Sequence, residues 1–149
     1  MPEQRELRFS SLDEARAEVE RLSREPCRTT GTWSYFQILE HLAESIEDSY
    51  KLRPGRVIPA IDARATEILF KRLKRNGKLQ PGAVNPALPQ TRQEGDEKAA
   101  AAHLLKAMQD FKAATELLPD AQLGKLNHEQ YEFLHSIHCA LHLSFVHPA

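Results

Sequence analysis

Histidine is over-represented here: there are seven in 149 residues, and four of them, His135, His138, His142 and His147, lie between Tyr131 and the C-terminus. Imidazole titrates near neutral pH and is the commonest side-chain ligand for transition metals. His138 and His142 are spaced i and i+4, one turn apart on a helix, so their rings project side by side and can share one ion. A single imidazole is a weak ligand, whereas two from one rigid turn arrive already oriented. His135 competes with His142 for that role, because His135 and His138 are spaced i and i+3. An H-x-x-x-H pair is a weak signal on its own, since rings bordering an apolar stripe serve equally well as packed, hydrogen-bonded residues. A ligand from a second helix would separate these readings, and His41 is the candidate. It lies off the apolar stripe of its own segment, on the side of Ser34, Gln37, Ser45 and Asp48. That position suits a ligand at the mouth of a groove, where the metal keeps an open coordination position, better than a closed structural site. His103, His128 and His147 read as solvent-facing.

The elements that must position these rings are helical, and no segment alternates as a strand would. A first helix opens at Ser11 with Glu14 as capping-box partner, carries Leu12, Ala15, Val19 and Leu22, and stops before Pro26. A second opens at Ser34 with Gln37 as its box partner, carries Ile38, Leu39, Leu42, Ile46 and Tyr50, and ends by Pro54-Gly55. A short helix runs from Pro59 to Asn76-Gly77. Residues 77–96 contain Pro81, Pro86 and Pro89 with three glycines and read as a long loop, a length that is often functional inside a compact domain. A third long helix spans about 97–118, with a seam of Leu104, Met108, Phe111, Thr115 and Leu118 ended by Pro119. The fourth opens at Asn127 with Gln130 and runs through Leu134, Ile137, Leu141 and Phe145 to Pro148. With its apolar stripe centred near Leu141, His138 sits on the stripe's edge and His142 one step further round, and Tyr131, His135 and His142 continue one His/Tyr column that borders the apolar face. The sum is an all-α chain: one four-helix-bundle domain over residues 1–149, with a short extra helix and a long Pro/Gly loop between helices two and three. Such bundles host metals between facing helices.

At this length a domain buries about 70% of the surface its unfolded chain exposes, so neither a disulfide nor a metal is required for folding. Twenty Lys and Arg against 21 Asp and Glu leave a formal charge of −1, which gives no global field to recruit nucleic acid or an anionic membrane. The polar start and the lack of any long apolar run lead us to expect neither a leader nor a membrane span. Cys27 and Cys139 form no C-x-x-C, which suits a reducing cytoplasm and excludes a cysteine-rich zinc site.

Two stretches carry a family resemblance: Thr32-Trp33-Ser34-Tyr35-Phe36-Gln37-Ile38-Leu39-Glu40-His41-Leu42-Ala43, and the closing His138-Cys139-Ala140-Leu141-His142-Leu143-Ser144-Phe145. They resemble the DinB-like superfamily of bacterial four-helix metalloproteins, in one of its branches of unknown function. The resemblance covers the whole architecture through few diagnostic residues, and Tyr131 stands where tryptophan is expected. It implies a three-histidine site of His41, His138 and His142, with water or substrate completing the metal. It also implies a homodimer and, in some members, a low-molecular-weight thiol used in transferase or isomerase reactions.

Three neutral imidazoles leave a divalent ion its full charge and a free position, enough to bring a bound thiol or water to a near-neutral pKa. Zinc is the default, with nickel, iron, cobalt or manganese also suited. Glu44 reads as a solvated carboxylate rather than a partner of the ligands, Cys139 as a small core residue and Tyr131 as a packed aromatic. Lys71, Arg72, Lys74 and Arg75 either meet the carboxylates of a thiol cofactor or form an ordinary solvated helix end. Two function classes follow. One is a metal-dependent thiol S-transferase acting on small electrophiles, in the cytoplasm. The other is a non-catalytic dimerisation or interaction domain with a structural or lapsed metal site.

Overall fold

A computed structural model describes residues 2–79 and 88–149, so Pro81 and Pro86 of the long loop lie outside the described residues. The chain forms α1 (Leu12–Leu22), β1 (Cys27–Thr29), α2 (Tyr35–Glu47), α3 (Ala63–Asn76), α4 (Glu97–Ala113), α5 (His128–Leu143) and β2 (Val146–Pro148). The fold is mostly helical, as the periodicity predicts. Helix α2 packs on α4 and α5, and α1 packs on the other sides of the same two. Leu12, Val19, Ile38, Leu39, Leu42, Ile46, Leu104, Met108, Phe111 and Leu143 are all fully buried between them. Each such side chain contributes roughly 1.5–3 kcal/mol of transfer free energy to the core. Helix α3 lies outside and touches α5 through Phe70, whose ring meets Phe133 edge-on at 5.8 Å. Among the described residues, no helix is long and apolar enough to cross a membrane.

Local chemistry sets most helix ends. The predicted boxes at Ser34/Gln37 and Asn127/Gln130 both form. Gly77 ends α3 in the left-handed conformation at φ 72°, but that helix starts at Ala63 behind the Asp62 cap rather than at Pro59. The predicted Ser11/Glu14 box does not form. Ser11 makes no side-chain cap, and Glu132 reaches across from α5 to accept from Leu12 N at 2.5 Å instead. Helix α2 stops at Glu47, well before Pro54. Helix α4 stops at Ala113 rather than at Pro119, leaving Thr115 exposed. Tertiary bonds hold that stretch out of the helix: His128 Nε2 donates to Ala114 O (2.5 Å), Tyr131 Oη to Leu118 O (2.6 Å) and Leu118 N to Ser49 O (2.7 Å). His128 is therefore half-buried and bonded rather than solvent-facing.

The chain also contains strands, which the sequence pattern did not predict. β1 and β2 pair antiparallel, with Arg28 opposite His147, and tie the C-terminus to the loop after α1. His147 is buried there, its Nε2 3.2 Å from Glu3 O and 3.3 Å from Thr30 Oγ1, rather than solvent-facing. An N-terminal arm fastens the same corner. Arg5 donates from Nε to Val146 O (2.6 Å) and from Nη2 to Leu143 O (3.2 Å), and it pairs with Glu18 at 2.8 Å.

Residues 88–95 lie along the start of α2. Gln37 Nε2 donates to Thr91 O (2.9 Å), and its Oε1 accepts from Gln93 N (2.9 Å) and Ser34 N (2.9 Å). Gly95 sits so close to Phe36 that a Cβ would fall 2.6 Å from the ring, so any larger residue here would have to displace it.

The core face of α5 is the column Tyr131, His135, Cys139 and Leu143, all buried, rather than a stripe centred on Leu141. His135 thus leaves the competition with His142: it stacks on Tyr131 (5.2 Å, 20°), and its Nε2 donates to Ser49 Oγ at 3.1 Å. Burial lowers the His135 pKa from 6.5 to about 3. The unfolded chain therefore binds a proton at this residue that the folded chain refuses between those limits. Its contribution to stability is complete above pH 6.5 and is lost as pH falls towards 3. We expect His135→Leu to flatten stability against pH between about 4 and 6 by up to one proton, about 1.4 kcal/mol per pH unit. Urea unfolding across that range measures it, and an unchanged slope would contradict the assignment.

Candidate metal centre

With α5 rotated so that the 131/135/139/143 column faces the core, the next column, His138 and His142, turns towards α2 and meets His41. His138 Nε2 lies 3.1 Å from His41 Nε2 and 3.1 Å from His142 Nε2. The three rings are 4.7–4.9 Å apart and steeply inclined, at 75–82°, so they meet by their edges rather than stacking. The structure therefore brings together the three residues singled out from spacing and resemblance. Each is half-buried, which fits the groove-mouth position read from the helical wheel of His41.

Burial holds all three rings neutral at physiological pH. It lowers His41 from 6.5 to about 4, against a small opposing pull from Asp48, and His142 to about 3, with His41 adding to the effect. His138 is held well below 6.5 by burial first, then by His142, His41 and His135 beside it. Neutral imidazoles offer lone pairs, as metal ligation requires. A neutral imidazole nitrogen carries either one N–H or one in-plane lone pair. His138 Nε2 can therefore complete a hydrogen bond with one of its two neighbours, not both. A cation where the three nitrogens meet would engage every lone pair at once. Tetrahedral zinc with bonds of about 2.0–2.1 Å would set ligand nitrogens about 3.3 Å apart, close to the 3.1 Å of the two pairs that include His138, and all three ligand atoms lie within 4.8 Å of one another. The donor set fits a divalent ion.

The polar groups that the second helix seemed to offer this centre are engaged elsewhere. Gln37 holds residues 91–93, and Ser45 Oγ donates to His41 O at 2.8 Å. Asp48 pairs with Arg53 through two bonds (2.7 and 2.8 Å), and Glu44 lies 3.5 Å from the same arginine. Glu40 accepts from His103 Nδ1 (3.0 Å), whose Nε2 faces Glu47 at 3.1 Å. His103 was read as a solvent residue, yet it bridges two α2 carboxylates. Partial burial alone would lower its pKa, but the bonds to Glu47 and Glu40 outweigh that and raise it. Cys139 and Tyr131 are packed as expected, and burial pushes the Cys139 thiol up to about 12. In the basic cluster Lys71 pairs with Glu67 (2.9 Å) and Lys74 lies over Phe133 (5.6 Å), while Arg72 and Arg75 are exposed.

Sequence reasoning gave no site role to Trp33. Its indole stacks on His142 (5.6 Å, 18°) and meets His41 edge-on (5.0 Å, 61°). Trp33 precedes the cap of α2, where no helical period predicts direction. Its place in the Thr32–Ala43 stretch that carries His41 was the one available signal.

No curated protein and no solved structure matches the chain. Residues 1–149 match a family model described as "Protein of unknown function (DUF1569)". The match spans every element that carries the three histidines, and the chain belongs to the DUF1569 family.

Proposed function

We propose that this chain is a divalent-metal protein with a DinB-like four-helix bundle formed by α1, α2, α4 and α5, and that His41, His138 and His142 are its metal ligands. The observation that carries this reading is the meeting of three neutral imidazole nitrogens, with His138 within 3.1 Å of both neighbours and able to satisfy only one. Zinc is the favoured ion, and nickel, iron, cobalt and manganese are compatible with the donor set.

The reaction class we favour is a metal-dependent S-transfer from a low-molecular-weight thiol to a small electrophile, performed by a homodimer. When bound, the ion supplies a positive charge and an open position at which a thiol ionises near neutral pH. The protein's part is to keep three ligands unprotonated, aimed and half-shielded from water. Burial supports the first and the steep ring packing the second. The competing class, an interaction module with a structural or lapsed site, draws support from a specific feature: Gln37, Glu40 and Asp48 are bonded away from the three rings, and Ser45 Oγ is engaged by the His41 backbone carbonyl.

Wild-type protein incubated with zinc and desalted is expected to retain about one ion per chain, and His138→Ala to retain almost none while keeping its helical far-ultraviolet signal. Elemental analysis measures it; full retention by the variant would remove the site. The zinc-loaded chain is also expected to speed addition of a thiol panel to a chromogenic electrophile over the metal-free chain, in the absence of free zinc. Equal rates for every thiol would leave the non-catalytic class.

A further inference from the structure

Metal-binding imidazoles are normally held in orientation by a second bond, from the other ring nitrogen to a carboxylate or carbonyl. Rotation of an imidazole about its last torsion is otherwise broad. At this site an aromatic ring packs against two of the three ligand rings. Trp33 lies along the face of His142 and against the edge of His41, so one indole spans ligands from both α5 and α2. The indole is itself held: Nε1 donates to Pro89 O at 3.0 Å. Pro89 belongs to the segment that Gln37 fastens through Thr91 and Gln93, that Ser34 Oγ fastens at Gln93 O, and that Arg92 fastens to Thr29 Oγ1 at 2.9 Å. The line of contact runs from residues 88–95, through the indole, to two of the three ligand rings.

We propose that Trp33 is a positioning residue of the histidine centre, setting the planes of His142 and His41 by ring contact, with residues 88–95 as its anchor. The proposal rests on the reading of the triad as a metal site. Trp33 is the sole tryptophan of the chain, so its fluorescence reports on this centre alone.

The test compares the full-length wild type with Trp33→Leu and Trp33→Phe, each titrated with zinc and with cobalt(II). Adding metal to the wild type is expected to change the tryptophan emission in proportion to occupancy. Trp33→Leu is expected to weaken zinc binding roughly 10–100-fold, the usual loss when a ligand-orienting group is removed, and to shift the cobalt d–d bands. Trp33→Phe, which keeps an aromatic face, is expected to bind within a few-fold of wild type with the wild-type cobalt spectrum. A tryptophan that merely stabilised the fold would lower the melting temperature and leave that spectrum unmoved. Wild-type affinity and spectrum in Trp33→Leu would overturn the proposal. So would wild-type tryptophan emission that stays unchanged on stoichiometric metal uptake; this measurement decides the matter if Trp33→Leu does not fold. A wild type that takes up no metal removes the underlying site reading, an outcome distinct from either.

Discussion

The feature on which the account depends is a crowding of like atoms. Three imidazole nitrogens from two helices point at one another, and the central one faces two partners when its chemistry allows a bond with one. Three potential ligand atoms within 4.8 Å of one another call for an explanation beyond packing. Protonation would not resolve the conflict, because the central nitrogen would still carry a single N–H, and burial disfavours charge on all three rings. A divalent ion resolves it with the rings neutral.

That geometry is set by how α5 is rotated, and several distant contacts fix the rotation. Tyr131, His135, Cys139 and Leu143 lock one column of α5 into the core. Glu132 ties the helix to the start of α1, and Arg5 caps its last carbonyls while pairing with Glu18. A turn of about 100° either way would point His138 and His142 away from α2. The imidazole of His135, satisfied by Ser49 inside the core, therefore does structural service for the pair one turn on.

The three histidines were legible because their type is informative and because i and i+4 spacing is a property of the chain itself. The two capping boxes at Ser34 and Asn127 were legible for the same reason: both partners lie within one turn. The face of α5 was not. Its Ile137 and Leu141 form a second apolar surface, bordered by the N-terminal arm and the end of α3, so the pattern alone offered two candidate core faces. The early stop of α4, the long-range cap from Glu132 and the β1–β2 pairing all depend on partners far away in sequence, which no local period encodes. His103 and Trp33 were missed for a related reason. The one needs Glu40 and Glu47 from another helix, and the other lies just outside a helix, where side-chain direction is set by residues 88–95.

The most direct test is X-ray absorption on the zinc-loaded protein. The account predicts a zinc edge with three imidazole nitrogens at about 2.0 Å and one further non-protein donor. Fewer than three imidazoles in the shell, or a shell made up by carboxylate oxygen, would contradict it.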